Sequence, residues 1–205
     1  MMDFKKHFEI AWQNTLKFIG PVLLLTLVQV IVVLFSLGIL APVTTAGYMH
    51  SLLRALREDR PPEIRDLFSH MALFLPLFGF FVLVMIVTGI GFMFLVLPGM
   101  AVALFIIFAT LYMIPLMIDK DRGIMDALKE SWEMAVREPI SDQIVISIAY
   151  LVIMSIGGSV PFAILIAQPF AMFLLLSVYE ERLKTRNGRT IEHSTPVPPP
   201  PPPVQ

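Results

Sequence analysis

The segment that decides the fold is residues 71–118, MALFLPLFGFFVLVMIVTGIGFMFLVLPGMAVALFIIFATLYMIPLMI, which contains no Asp, Glu, Lys or Arg. Segments 18–53 and 143–179 also lack these four residue types. All charged side chains fall in the blocks 3–17, 54–66, 119–142 and 180–192. An ionised group is costly to bury in hydrocarbon, so long uncharged apolar runs indicate membrane crossings. The pattern predicts an integral membrane protein.

The composition agrees with this class and excludes others. Hydrophobic residues make up 57% of the chain and charged residues 15%, against about a quarter charged in soluble domains. The net charge of −1 creates no field that would attract nucleic acid. The chain has no cysteine, which excludes disulfides and thiolate metal sites. We predict no cofactor and no nucleic-acid partner. The first apolar run comes after about seventeen mixed polar residues, and no A-x-A-like cleavage site follows it. We therefore expect that it is not a cleaved signal peptide and is retained as a span.

The length of each uncharged segment predicts a helical hairpin. The segments contain 36, 48 and 37 residues, about twice the roughly 20 residues that one spanning helix needs. Each carries helix breakers near its middle, where proline removes a backbone donor and glycine permits a reversal. The predicted turn residues are Gly38 with Pro42, Pro98 with Gly99, and Gly157 and Gly158 with Pro161.

The predicted fold is an all-α polytopic transmembrane bundle of about six spans arranged as three hairpins. The spans are 18–40, 41–57, 71–97, 99–118, 140–156 and 160–182. The least apolar of these spans is 41–57. The alternative is that this segment is a half-helix or lies at the interface, which would give five spans. Paired crossings place all four charged blocks on one face, which the positive-inside rule assigns to the cytoplasm together with both termini.

The domain organisation is a surface helix at 1–17, a membrane domain at 18–182 and a disordered proline-rich tail at 183–205. The tail is either a ligand for a proline-recognition domain or a dispensable extension. Amphipathic patterns in the charged blocks predict cytoplasmic surface helices. Trp12 and Trp132 belong to these patterns and are predicted to anchor the helices at the membrane interface. Curvature sensing or partner docking is the alternative role.

An internal repeat is a further hypothesis. Trp12 and Trp132 are 120 positions apart, and so are Gly38 and Gly158. The proposed unit is a surface helix followed by a hairpin, used three times in parallel copies. Chance coincidence in apolar sequence is the alternative.

Groups capable of membrane chemistry are few. His50 is the one ionisable residue within the uncharged segments besides tyrosines, and we predict that Tyr48, His50 and Gln168 line a polar cavity. The alternative for His50 is a place near the interface with ordinary hydrogen bonds. The other histidines lack the spacing of a metal site, and no phosphate-binding loop or G-x-S-x-G motif is present. We therefore predict no catalytic or metal-binding residues.

The stretch 79–139 carries a family resemblance. A span ending in Leu97-Pro98-Gly99 is followed by one closing on Pro115-Leu-Met-Ile-Asp119 and by GIMDALKESW at 123–132. This resembles uncharacterised bacterial inner-membrane proteins related to the membrane domain of glycerophosphoryl diester phosphodiesterases. The resemblance implies a six-helix domain of the bacterial cytoplasmic membrane with both ends cytoplasmic. It implies no enzyme activity, because the phosphodiesterase domain is not in this chain.

These observations together predict a non-catalytic accessory or interaction module in the membrane. A link to lipid or envelope homeostasis follows from the resemblance alone. The predicted partners are membrane lipids and either a membrane protein or a second copy of the chain. The alternative function is a transporter or channel for a lipid or small apolar solute, which proline-kinked spans and a parallel repeat would suit.

Overall fold

A computed structural model describes residues 3–94, 96–137, 139–160 and 162–194. Over these ranges the chain forms helices joined by short turns and contains no β-strand, which confirms the all-α prediction. The helices are α1 Phe4–Lys17, α2 Ile19–Phe35, α3 Ala41–Glu58, α4 Phe74–Phe94, α5 Val96–Thr110, α6 Met113–Lys120, α7 Ile124–Arg137, α8 Ile140–Ser159 and α9 Ile164–Ser194. Two 3₁₀ segments, Ile64–Phe68 and Met71–Leu73, lie between α3 and α4.

Several of these helices are suited to a membrane. Among the described residues, four helical stretches are long and apolar enough to cross a bilayer. They are Ile64–Met93, Gly99–Lys120, Ile140–Ser159 and Ile164–Arg186. The α1–α2 pair, bent by 87° at Phe18, gives a fifth if it counts as one span. The structure thus supports a membrane protein with four to five membrane-capable helices, compared with the six spans predicted.

The difference in count comes from the first uncharged segment. Helix α2 has 17 residues, about 25 Å at 1.5 Å per residue and shorter than the roughly 30 Å hydrocarbon core. Helix α3 is long enough at 18 residues, but its sequence APVTTAGYMHSLLRALRE includes hydroxyl groups, a histidine and charges. The sequence had identified this segment as the least apolar of the predicted spans.

The helix ends differ from the predicted boundaries in three places. Residues 99–118 are divided between α5 and α6, because the helix is interrupted at Leu111 and Tyr112. Helix α9 continues to Ser194, past the predicted start of the disordered tail at 183, since residues 180–186 are mostly good helix formers. Helix α1 begins after Asp3, whose carboxylate accepts a hydrogen bond from the backbone N–H of Lys6 and caps the helix. The proline run at 198–203 lies outside the described residues.

Helix α9 lies at the centre of the bundle and the α4–α5 pair lies at its edge. In the most apolar part of α9, 61% of the residues are buried, against 6% in the stretch that contains α4. Helices α1, α2, α3 and α8 all pack on α9. Its residues Phe173, Leu174 and Leu176 are completely buried in the core. The outward surface of α4 and α5 is therefore an exposed apolar surface of the bundle.

The surface segments pack in a cyclic order. The 3₁₀ segment Ile64–Phe68 packs on α3, α7 packs on α5 and α6, and α1 packs on α9. In each case a surface segment rests on the second half of an apolar segment, and α1 joins the beginning of the chain to its end. This order matches the hypothesis of a three-unit repeat, which stays a prediction.

The contact between the segment Ile64–Phe68 and α3 requires glycine at position 47. A Cβ atom on Gly47 would lie 2.3 Å from the carbonyl oxygen of Leu67. Ser51 donates a hydrogen bond to Asp66 at 2.9 Å and accepts one from the backbone N–H of Glu63 at 3.2 Å. The segment is thereby fixed on α3 by close backbone packing and by buried hydrogen bonds.

Candidate functional site

A neutral polar cluster lies inside the bundle where α2, α3 and α9 meet. We call Thr26, Gln29, Thr45, Tyr48 and Gln168 the amide–hydroxyl cluster. The side-chain amide of Gln168 donates to Gln29 at 2.7 Å, and Gln29 donates to Thr45 at 3.3 Å. Tyr48 lies 2.8 Å from Thr26, whose hydroxyl donates to the Val22 carbonyl, so Tyr48 is the donor to Thr26. Each cluster member thus has a partner in a neighbouring helix.

These bonds define how the three helices run. Thr26 pairs with Tyr48 and Gln29 with Thr45, so α2 and α3 are antiparallel. The cluster also brings Thr45 of α3 close to Gln168 of α9 through Gln29. Further along, Arg57 of α3 binds Glu180 of α9. Helices α3 and α9 therefore run in the same direction.

Of the three residues predicted to line a polar cavity, two lie in the amide–hydroxyl cluster and His50 lies apart from them. Tyr48 is completely buried and Gln168 nearly so, and both belong to the amide–hydroxyl cluster. His50 lies on another face of α3, where its ring is 4.6 Å from the ring of His70. It lines a cavity of about 220 Å³ at the end of the bundle, beside Arg57 and Asp119. Tyr48 and Gln168 thus fill the core, and His50 alone of the three faces open space.

A second polar centre joins α3, α6 and α9. We call Arg57, Asp119, Tyr179 and Glu180 the arginine–carboxylate cluster. The Arg57 guanidinium binds both oxygens of Asp119, one of them at 3.0 Å, and its Nε donates to Glu180 at 2.6 Å. The Tyr179 hydroxyl also donates to Asp119, at 3.0 Å. One arginine therefore compensates two carboxylates whose side chains are 12% and 19% exposed.

Ion pairs connect all four charged blocks of the sequence. The first block binds the fourth through Lys6 and Glu181 at 3.5 Å, and it binds the second through Lys17 and Asp59. Arg57 connects the second block to the third and the fourth. Arg186 binds Glu130 at 2.6 Å and connects the fourth block to the third. The charged groups therefore gather in one region of the molecule.

The interruption between α5 and α6 is closed by side chains from α7 and α8. Pro115 has no N–H for the carbonyl one turn earlier, which favours a break. Ser131 accepts a hydrogen bond from the Tyr112 backbone N–H at 3.2 Å and donates to the Ala109 carbonyl at 2.7 Å. Gln143 donates to the Phe108 carbonyl and accepts from the Tyr112 hydroxyl. The Phe108 and Ala109 carbonyls and the Tyr112 N–H thus have side-chain partners from neighbouring helices.

Arg182 lies next to this interruption and is almost completely buried. Its guanidinium carbon is 5.0 Å from the centre of the Tyr112 ring, and one Nη donates to the Met134 carbonyl at 2.5 Å. The other Nη and the Nε have no hydrogen-bond partner among the described residues. The attraction between a cation and an aromatic face offsets part of the free energy that burial of the charge costs. The contact joins α6, α7 and α9 at the charged end.

The predicted interface anchors make aromatic contacts and are half-exposed. Trp12 packs edge-on against Phe170 at 6.1 Å between ring centres, and Trp132 packs against Phe105 at 5.7 Å. The indoles are 51% and 42% exposed. The neighbouring residues Ala11 and Thr15 are buried, and α1 packs on α9. The anchoring role stays a prediction.

The predicted turn residues occupy different places. Gly38 has a φ of +83° in the turn between α2 and α3, and Pro42 lies in the first turn of α3. Pro98 and Gly99 lie in the first turn of α5, which proline tolerates because the first helical N–H groups need no partner in the helix. Gly157 and Gly158 lie in the last turn of α8. A Cβ on Gly157 would lie 2.5 Å from the Ala167 Cβ, so the glycine allows α8 and α9 to approach. Pro161 is outside the described residues.

The residues that sequence reasoning missed are those of the arginine–carboxylate cluster. The available signal was the spacing of Arg57, Asp119 and Glu180, which are 62 and 61 positions apart, close to the period of a three-unit repeat. Over the described part of the chain, no group of three His, Asp or Glu side chains is placed to hold a metal ion.

Comparisons of the chain with protein-family models, with curated proteins and with solved structures find no match. The resemblance to the phosphodiesterase-linked membrane domains therefore stays a prediction from the residues at 79–139.

Proposed function

We propose that this protein is a non-catalytic accessory module of the bacterial cytoplasmic membrane, with its charged face in the cytoplasm. The observation that carries the proposal is the set of ion pairs that joins all four charged blocks. Groups a few Å apart cannot lie on opposite sides of a hydrocarbon core about 30 Å thick. All four blocks then share one side of the membrane, and their lysines and arginines favour the cytoplasmic side.

A shared side also limits the number of crossings. A chain that leaves one side and returns to it crosses the membrane an even number of times in each uncharged segment. The segments that contain α4 to α6 and α8 to α9 then cross twice each. The α2–α3 pair either crosses twice, for six spans in three hairpins, or enters and leaves from the same side. We favour six, because α2 is entirely apolar apart from Thr26 and Gln29, which have partners inside the bundle.

The internal polar groups suit a structural role better than a catalytic one. The amide–hydroxyl cluster is neutral, and its hydrogen bonds hold α2, α3 and α9 together, as such groups commonly do between membrane helices. In the arginine–carboxylate cluster both carboxylates are paired with Arg57. A link to lipid or envelope homeostasis rests on the family resemblance.

The apolar outer surface of α4 and α5 is the proposed contact for a membrane protein partner or for a second copy. Met85, on α4, is 60% exposed. A photo-crosslinking residue at position 85 should give a discrete protein adduct in cells, whereas one at the buried Leu52 should give none. Adducts with lipid alone at all exposed positions of α4 and α5 would refute an interaction module. Hydrolysis of a lipid phosphodiester by the purified protein would refute the non-catalytic assignment.

A transporter or channel is the second candidate, favoured by two specific observations. The amides of Gln29 and Gln168 lie within the apolar part of the bundle. The interrupted α5–α6 helix also resembles the broken helices that form transporter sites. Reconstituted protein should then move a solute across liposomes, and Gln168→Leu should abolish this flux without unfolding the protein. For an accessory module we expect no flux above that of empty liposomes, and Gln168→Leu should change stability alone.

A further inference from the structure

A cleft of about 390 Å³ lies at the charged end, between α1, α3 and α9. Its polar wall includes Lys6, His7, Arg57, Glu180, Glu181 and Lys184. The volume is within the range of about 300–1,000 Å³ that small-molecule sites occupy. The cleft is partly open, so a ligand group can enter without a rearrangement of the helices.

The rim of the cleft carries an excess of one positive charge. Two lysines, Lys6 and Lys184, face one carboxylate there, Glu181, so that two minus one gives +1. Glu180 is bound by Arg57. Arg57 is in turn held inside the bundle by Asp119. The excess therefore lies at the rim, where Lys6 and Lys184 are located.

The rim lysines are available to a ligand. Lys6 is 3.5 Å from Glu181, and the two side chains are 59% and 37% exposed, so water screens this pair and it contributes little. Lys184 is exposed and makes no ion pair among the described residues. Both lysines line the same cleft.

The inner wall contains a buried polar group with unused capacity. His7 is 1% exposed, and its Nδ1 lies 2.6 Å from the Ser177 hydroxyl. The opposite ring nitrogen, Nε2, is 3.2 Å from Glu181 but outside hydrogen-bond geometry, and it has no other partner among the described residues. When Ser177 donates to Nδ1, the proton is on Nε2, which is then a donor. A buried donor of this kind favours an acceptor-rich ligand.

The apolar surroundings indicate where the cleft lies with respect to lipid. Phe8 and Trp12 are on the same helix as Lys6 and are 37% and 51% exposed. Both rings pack against Phe170 of α9. Tryptophan favours the depth of the lipid headgroups. With Trp12 anchored at the interface as predicted, the cleft would lie at the depth of the phospholipid phosphates.

We propose that this cleft binds one phosphate-bearing anionic group, with Lys6 and Lys184 contacting the phosphate oxygens and His7 donating from Nε2. Two sources share this chemistry, namely the headgroup of an anionic phospholipid and free phosphate. The inference goes beyond the proposed function, because neither a protein partner nor a particular span count is required for it.

The test is titration calorimetry of the purified, detergent-solubilised protein with a short-chain phosphatidylglycerol. Inorganic phosphate is titrated in a second arm, and a short-chain diacylglycerol without phosphate in a third. We expect Lys6→Gln and Lys184→Gln each to weaken binding about fivefold, the effect of one lysine near an anionic surface. Lys5→Gln is the matched control, because Lys5 is 86% exposed, pairs with Glu9 and is not part of the cleft.

A second variant tests the cleft without a change of charge. Ile10 lines the cleft, and Ile10→Trp should fill it and weaken binding while the thermal unfolding midpoint shows that the protein is folded. Binding of phosphatidylglycerol but not of phosphate identifies a lipid headgroup, and binding of both identifies the phosphate itself. The proposal is overturned if neither binds, if diacylglycerol binds equally well, or if Lys6→Gln with Lys184→Gln binds like Lys5→Gln.

Discussion

Removal of the Arg57 guanidinium should destabilise the bundle more than removal of any neighbouring surface charge. In Arg57→Met the apolar stem is kept, but Asp119 and Glu180 lose their cation while they are only 12% and 19% exposed. Hydrogen bonds to charged groups contribute about 1.5–3 kcal/mol each. Since the guanidinium is 36% exposed, screening reduces the sum, and we expect a loss of about 2 kcal/mol in the free energy of unfolding.

The measurement is reversible unfolding in mixed micelles with increasing dodecyl sulfate, followed by tryptophan fluorescence. Arg54→Met is the matched control, because Arg54 pairs with Glu58 one turn away on the exposed side of the same helix. Its loss should be below about 0.5 kcal/mol.

Neutralisation of the two carboxylates distinguishes an unpaired buried charge from lost packing. Asp119→Asn with Glu180→Gln, added to Arg57→Met, should restore at least half of the lost stability, because no uncompensated charge is then left. If Arg57→Met costs no more than Arg54→Met, or if neutralisation lowers stability further, the assignment of Arg57 as the cation that joins three helices is wrong.

Three further perturbations have defined outcomes. Gly47→Ala should lower the free energy of unfolding by about 1–3 kcal/mol, because the new Cβ meets the Leu67 carbonyl. The control Gly20→Ala has open space around it and should change this free energy by less than about 1 kcal/mol. Equal effects would contradict the close packing at Gly47. Ser131→Ala should cost about 1–3 kcal/mol, because it removes the buried hydrogen bonds of Ser131 to the Tyr112 N–H and the Ala109 carbonyl. An unchanged unfolding midpoint would contradict this. Burial lowers the pKa of His7 despite the nearby Glu181, so the unfolded chain binds the proton more readily and stability falls as the pH drops below about 6.5. His7→Gln should reduce this loss on acidification, and a pH profile identical to that of the wild type would show that His7 does not cause it.

The distribution of charge predicted the coarse structure because the cost of burying ions acts on whole segments. The long uncharged apolar segments predicted an all-helical membrane protein. Gly38, Gly99 and Gly157, which the sequence identified as helix breakers, lie in a turn or near the end of a helix. The number of spans was harder to predict from the sequence. Hydropathy alone does not decide whether a segment such as Ala41–Glu58 crosses, because its polar side chains find partners on α2 and on the segment Ile64–Phe68.

The candidate sites were harder to predict because they depend on contacts between distant parts of the chain. Tyr48 and His50 are two residues apart on α3 and therefore face different directions. Tyr48 points into the core, and His50 contacts His70 between the two 3₁₀ segments. Asp119 and Glu180 look like solvated charges in the sequence. They become a partly buried cluster because the packing of α3 on α6 and α9 brings Arg57 to the same place.

The most direct test of the shared cytoplasmic face is the accessibility of single cysteines in this cysteine-free chain. Ser36→Cys and Ser159→Cys lie at the ends of α2 and α8, far from the charged blocks, and Ser69→Cys and Thr185→Cys lie near them. In intact cells, an impermeant thiol reagent should label positions 36 and 159 and should reach 69 and 185 only after permeabilisation. Labelling of position 69 or 185 in sealed cells, alone or together with the other two, would contradict the proposed topology.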